Sequence, residues 1–182
     1  MYVGRLVDWK AVDILLDAFF KACDVYGPMQ LRIIGDGDQR EYLEQIVLKH
    51  HDQAGEVLFH GWIAQQDIAP ILSNSVALVL PSLYECGGAV VLEAMALSKA
   101  VISTNWGGPS DYLDDSCGIL IEPTSREGLV DGFSDAMLRL ANNSALSKSL
   151  GVCGRKKIEE HYNWEKKVDD VIDIYCQQFS DD

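Results

Sequence analysis

The chain has 182 residues, 48% of them apolar, and a formal net charge of −13. That length and apolar content suit one ordinary domain with a single large core, and exclude a disordered, collagenous or fibrous chain. The negative surface disfavours nucleic acid and anionic membranes, so any phosphate site must rest on a few local cations and backbone amides.

In chain order, Met1-Tyr2-Val3-Gly4-Arg5 enters a strand at once, which reads as a chain cut at a domain boundary. Further short aliphatic runs lie at 31–34, 57–59, 76–80, 100–103 and 118–121, each ended by Gly, Pro or a polar turn, as buried parallel strands are. Between them, apolar residues recur at helical spacing through 11–26 and 39–51, and residues 89–97 read as a short buried helix. The last part changes character, with three consecutive helices expected at Arg126–Asn142, 143–160 and Trp164–Phe179. The β-α-β-α order implies a parallel sheet with helices on both faces. No apolar run approaches the roughly 20 residues of a membrane span. The five cysteines are scattered without a C-x-x-C pair, which points to reduced thiols in the cytoplasm, and the four histidines show no metal-ligand spacing.

In an open parallel sheet, ligands bind beyond the carboxyl ends of the strands. Those turns read Gly4-Arg5, Gly35-Asp36-Gly37-Asp38, His60-Gly61-Trp62, the run from Pro81 to Gly88, and Thr104-Asn105-Trp106-Gly107-Gly108. The densest signal is Pro81-Ser82-Leu83-Tyr84-Glu85-Cys86-Gly87-Gly88, followed by Ala89 and a short apolar helix carrying Glu93. Gly87 and Gly88 admit close approach of a ligand to the backbone, and the free amides of a helix start suit a diphosphate. Were most of the interval helical, Glu85 and Glu93 would lie about 10–12 Å apart, too far for a glycosidase carboxylate pair but suited to the two ends of one extended ligand. The plainer readings are that Glu93 caps a neighbouring loop and Glu85 is a surface loop residue. Cys86 at a helix start has the position of an activated thiol.

This stretch resembles the E-x7-E motif of retaining glycosyltransferases of family 4, the group 1 glycosyl transferases. Val3-Gly4-Arg5-Leu6 through Lys10, Ile33-Ile34-Gly35-Asp36-Gly37, Phe59-His60-Gly61-Trp62-Ile63, Gly107-Gly108-Pro109-Ser110-Asp111 and residues 118–123 resemble other segments of that family in the same order. The resemblance implies a three-layer Rossmann-like α/β fold with a parallel sheet of about six strands. Residues 1–182 would then be the C-terminal, nucleotide-sugar-binding half of a two-domain GT-B enzyme whose N-terminal acceptor domain is absent from this chain. It implies transfer of a hexose, with retention, from a UDP- or GDP-sugar to a saccharide or lipid-linked acceptor. Arg5 and Lys10 would grip the diphosphate as catalytic groups, and Glu85 would place the donor sugar. Glu93 would accept the ribose hydroxyls, while Cys86, Gly87, Gly88 and Ala89 would offer backbone to sugar and phosphate. Gly4 and Gly35 would line the donor cleft, and Trp62 and Ile63 the base pocket. Trp62 has a second reading as an indole packed on the domain surface. Where the family has Gly after the lysine, this chain has Ala11, and its Cys86-Gly87-Gly88 also departs from the usual motif. The C-terminal helix from Trp164 would cross back to the missing domain, leaving its apolar stripe partly exposed. No cofactor is implied, no metal is required, and the isolated chain should bind donor but transfer sugar poorly.

Three other readings compete. Asp36-Gly37-Asp38 is a D-x-D after a strand, which would bridge a divalent metal to a diphosphate, or is simply a turn. A nucleotide-sugar epimerase shares the two-domain architecture. A non-catalytic nucleotide-binding module would share the fold without the chemistry.

Overall fold

The computed structural model describes residues 1–50 and 54–179. The described residues form β1 (Tyr2–Val3), α1 (Val12–Tyr26), β2 (Met29–Ile34), α2 (Arg40–Lys49), β3 (Gly55–Gly61), α3 (Gln65–Ser73), β4 (Ala77–Leu80), α4 (Ala89–Ala96), β5 (Ala100–Thr104), α5 (Gly108–Tyr112) and β6 (Ile119–Ile121). Three helices follow: α6 (Arg126–Asn142), α7 (Ser144–His161) and α8 (Trp164–Phe179). A single 3₁₀ turn, Asp8–Lys10, leads into α1.

The recorded strand pairs are all parallel, in two ladders ordered β1-β2-β3 and β4-β5-β6. Met1 joins them: its nitrogen donates to the Ala77 carbonyl at 3.0 Å and its carbonyl accepts from the Val79 amide at 2.8 Å. The spatial order is therefore β3-β2-β1-β4-β5-β6. The chain starts in the middle, winds outward to β3, returns through α3 to β4, and winds outward the other way. That reversal creates a topological switch point between β1 and β4, the place where such sheets bind ligands.

β4 and β5 are buried along their whole length, consistent with aliphatic runs covered on both faces. α1 lays Leu15, Leu16, Phe19 and Phe20 into the core and packs against α6. The helical tail is divided by side-chain caps. Ser125 accepts from the Gly128 amide at 3.0 Å and Asn143 from the Leu146 amide at 2.9 Å, each satisfying an otherwise orphaned donor at a helix start.

Elements and order follow the sequence reading, with two additions. α3 is nine residues long, carries a proline at position 70, fully buries Leu72 and packs Ile68 and Ile71 against the core. α5 is one turn long and starts at Gly108-Pro109, too short for periodicity to register. The helix expected over 39–51 ends at Lys49; residue 51 lies outside the described residues. α8 is amphipathic, and its stripe of Val168, Val171, Ile172 and Tyr175 is at least half exposed.

Candidate functional site

The loops at the β1/β4 switch point interlock through backbone. After β1, the chain runs along the end of β2: the Leu6 amide donates to the Asp36 carbonyl at 2.9 Å, and the Gln39 amide to the Leu6 carbonyl at 3.0 Å. The 3₁₀ turn then reaches the loop after β4, where the Leu83 amide donates to the Trp9 carbonyl at 2.8 Å. This bond sets Lys10 beside Glu85.

Lys10 and Glu85 form an ion pair, with side chains only 14% and 12% exposed. The Glu85 carboxylate also accepts from the Ser82 hydroxyl at 3.3 Å and from the Gly88 amide at 3.1 Å. Glu85 thus sits at the tip of α4 and ties that tip to a cation from the opposite half of the sheet. Helix α4 starts only at Ala89, so the Glu85–Glu93 interval is a folded-back loop followed by one helical turn. Gly88 adopts the left-handed region at φ +59, where Gly is favoured. A Cβ on Gly87 would meet open space, and Cys86, Gly87 and Ala89 are exposed at the mouth.

Arg5 is exposed at the same rim, with its guanidinium 5.7 Å from the centroid of the Trp9 ring, a cation–π distance. Beneath it, the Tyr2 hydroxyl donates to the Arg5 carbonyl at 2.9 Å. Burial, then the negative charge of Glu85, hold the Tyr2 phenol far above its ordinary pKa, with Arg5 opposing. Tyr2 is therefore a neutral donor in the floor beneath Arg5, within the field of Glu85.

Glu93 lies apart from the Lys10–Glu85 pair, further along α4. It is half-buried on α4 and accepts from the Gln65 amide side chain at 3.0 Å. Both line a cavity of about 290 Å³ between α3 and α4. Gln65 lies three residues beyond Trp62, so the β3–α3 loop ends at this cavity. Trp62 is 77% exposed, which removes the reading of an indole packed on the surface, while Ile63 packs against the core.

Gly4 and Gly35 are brought together, but against each other: a Cβ on Gly35 would stand 1.9 Å from the Gly4 carbonyl oxygen, at a φ of +134. That close approach accounts for Gly35 without a ligand. Gly107 does the same service across the mouth, since its Cβ would stand 1.8 Å from the Glu85 carbonyl oxygen. The Gly108 amide donates to the Cys86 carbonyl at 3.1 Å. The structure thus gathers Lys10, Glu85 and Gly88 directly, sets Arg5 and Gly4 on the adjoining rim, and pairs Glu93 in the middle of α4 with Gln65 of α3, while Trp62 and Ile63 lie in the loop that leads into α3.

Asp36 has both oxygens engaged, one by the Gly37 amide at 2.8 Å and the other by Arg40 at 3.4 Å. Asp36 thus serves its own turn and the start of α2, and Asp38 is exposed. Among the described residues, no three His, Cys, Asp or Glu side chains gather as a metal cluster. Ser82, Gln65, Trp9 and Gly107 join the site without having been singled out. Ser82 and Gly107 stand inside quoted motifs, whereas Gln65 depends on α3, a short helix that was not among the expected elements.

The glycosyl transferases group 1 family model matches residues 1–143. An uncharacterized glycosyltransferase of Methanocaldococcus jannaschii is 35% identical over the whole of this chain and 48% of its own length. The chain thus spans about half the length of the curated relatives it matches. Among solved structures, the C-terminal domain of a glycosyl transferase group 1 family protein, LpcC from Francisella tularensis, is 25% identical with a TM-score of 0.77, covering 90% of this chain and 85% of that one. S. aureus TarM, solved with fondaparinux, alpha-GlcNAc-glycerol and UDP, superposes with a TM-score of 0.82 at 23% identity, over 96% of this chain and 34% of its own, a likeness of fold.

Proposed function

The chain belongs to the glycosyl transferases group 1 family, and on that premise we propose that residues 1–182 are the donor-binding half of a glycosyltransferase that moves a hexose from a UDP- or GDP-sugar with retention. The observation that carries this is the bond network of Glu85, which draws a cation from behind β1 and the start of α4 into one crevice at the switch point. In the proposed complex the diphosphate lies against Lys10, Arg5 and the amides from Cys86 to Ala89. Two cations and a helix start neutralise the charge that develops on the departing nucleotide. Glu85, released from Lys10 as the phosphate takes that cation, turns its carboxylate to the donor sugar. Glu93, with Gln65 beside it, takes the ribose hydroxyls, and Trp62 and Ile63 border the base.

The acceptor, a saccharide or lipid-linked sugar, would be held by an N-terminal domain, and the exposed stripe of α8 is a surface on which that domain would pack. Lys10 and Arg5 at the switch point supply phosphate countercharge without a metal, and the LpcC domain and the UDP held by TarM support the donor-domain reading. Calorimetric titration with UDP, GDP and their sugars, with and without magnesium, tests the proposal. Binding should be saturable, survive EDTA, and weaken by about 1.5–3 kcal/mol in Arg5→Ala or Lys10→Ala. Absence of nucleotide binding, or its abolition by EDTA, would overturn it. In a full two-domain enzyme, Glu85→Ala should remove most transfer; an unchanged rate would favour a binding module.

A further inference from the structure

The mouth of the crevice carries two aromatic rings to which the donor contacts give no task. Tyr84, directly before Glu85, is 70% exposed, and Trp106, directly before Gly107, is 46% exposed. Their ring centroids stand 5.9 Å apart with the planes tilted at 54°. The rings meet at an angle, not face to face, so each keeps much of its surface open. The Trp9 ring beside them is different, since the Arg5 guanidinium lies over it.

Backbone bonds fix both rings at their roots. The Leu83 and Tyr84 amides donate to the Trp9 carbonyl at 2.8 and 3.4 Å. The Asn105 amide donates to the Ile121 carbonyl at 2.8 Å and the Trp106 amide to the Thr104 carbonyl at 2.9 Å. Gly107 then abuts the Glu85 carbonyl, so the loops after β4 and β5 hold each other. The Glu85 carboxylate meanwhile is engaged by Lys10, Ser82 and Gly88. The two rings therefore stand next to the donor contacts of Glu85 but outside them.

We propose that Tyr84 and Trp106 form a stacking site for a neutral pyranose ring of the acceptor saccharide. A pyranose carries hydroxyls around its rim and C–H groups on its faces. Those C–H groups are weakly positive beside oxygen, and the faces of an indole and a phenol are negative. Asn105, next to Trp106 in the chain, donates its side-chain amide to Glu122, and both groups can bond sugar hydroxyls. The net charge of −13 favours a neutral ligand over an anionic one. Two part-exposed rings fit one or two sugar units and fall far short of the roughly 800 Å² per partner of a stable protein interface. The inference rests on the donor-domain reading and extends it: this half also grips the acceptor, on the flank of Glu85.

The test is saturation-transfer NMR on the 182-residue chain without nucleotide. The probes are methyl α-glucopyranoside, methyl β-glucopyranoside and methyl α-mannopyranoside, with acyclic sorbitol as control. Ring C–H protons of at least one glycoside should receive saturation, and sorbitol none. The signal should fall by about fivefold or more in Trp106→Ala and in Tyr84→Ala. It should survive in Trp106→Phe, which keeps a ring, and in Trp164→Ala, which removes an exposed indole of α8. No transfer to any of the three glycosides, or an equal signal in Trp106→Ala, would overturn the site. Calorimetry on the same proteins separates this from the donor reading: UDP affinity should stay within about twofold in both alanine variants. A loss of UDP-glucose affinity in Trp106→Ala with UDP unchanged would place the donor sugar on the rings and refute the acceptor assignment. Failure of wild type to bind any nucleotide would count against the donor reading, whatever the glycosides do.

Discussion

If Glu85 joins the two halves of the sheet, the Lys10–Glu85 pair must contribute to stability in a way that surface pairs do not. Exposed ion pairs contribute about 0.2–1 kcal/mol. Removing one partner of a fully buried pair costs about 3–5 kcal/mol, because it strands the other charge. With side chains 14% and 12% exposed, this pair lies between these limits. Glu85→Ala removes the ion pair and the bonds from Ser82 and Gly88, and should cost about 2–3 kcal/mol. Glu85→Gln keeps an oxygen for the Gly88 amide and should cost about 1–2 kcal/mol. For a chain of this size those losses correspond to Tm decreases of roughly 5–10 °C and 2–6 °C. The decisive assay is a double-mutant cycle by urea unfolding of wild type, Lys10→Met, Glu85→Gln and the double variant. The expected coupling is about 1–2 kcal/mol. Free energies that add within about 0.5 kcal/mol, as for independent sites, would show that the two residues do not hold each other and would remove the bridge from the site.

Three further outcomes follow from particular residues. Ala11 is held at φ +50, where an L-residue pays about 1–2 kcal/mol; Ala11→Gly relieves that while losing a buried methyl. Chemical denaturation should therefore find it within about 1 kcal/mol of wild type, whereas Ala18→Gly in buried α1 should cost more than about 1 kcal/mol. Gly107→Ala forces a Cβ to 1.8 Å from the Glu85 carbonyl at a φ of +61, so the loop must move; calorimetry should show a loss above about 2 kcal/mol. Asp114 is held well below its ordinary pKa by the hydrogen bond from Lys157 at 2.6 Å and then by Ser116, with burial opposing. A depressed carboxyl stabilises the fold above the ordinary carboxylate value and loses that contribution as pH falls below it. The pair is partly exposed, so its share is under about 1 kcal/mol; Asp114→Asn should lower Tm slightly at pH 7 and flatten its fall in acid.

Much of this fold is readable from residue patterns because burial dictates them. Unbroken aliphatic strands such as β4 and β5 occur where helices cover both faces of a sheet, and the amphipathic spacing of α1 and α6 follows from one buried side. α3 is only nine residues long with a proline inside, so its short apolar stripe of Ile68, Ile71 and Leu72 is not singled out. The partner of Glu93 escapes with it: Gln65 becomes meaningful only once α3 carries it back over α4. The association of Lys10 with Glu85 spans 75 positions and depends on the strand order, which local spacing does not encode.

The glycines teach a further point about how such a site is made. Read as sequence, glycines at strand ends suggest room for a ligand. In the folded chain Gly35 gives room to the Gly4 carbonyl, Gly37 to the Leu6 carbonyl, and Gly107 to the Glu85 carbonyl. Each lets one rim loop touch its neighbour through backbone alone. Gly87 is different, since a Cβ there would meet nothing. The first three stiffen the crevice, and the last leaves its mouth open beside the exposed residues Cys86 and Ala89 at the start of α4. A binding site built this way has its loops placed before any ligand arrives, so less ordering entropy opposes binding. The residue that must still move is Glu85, whose carboxylate is engaged by Lys10, Ser82 and Gly88 at once. A phosphate drawing Lys10 away would loosen one of those three holds and leave the loop itself in place.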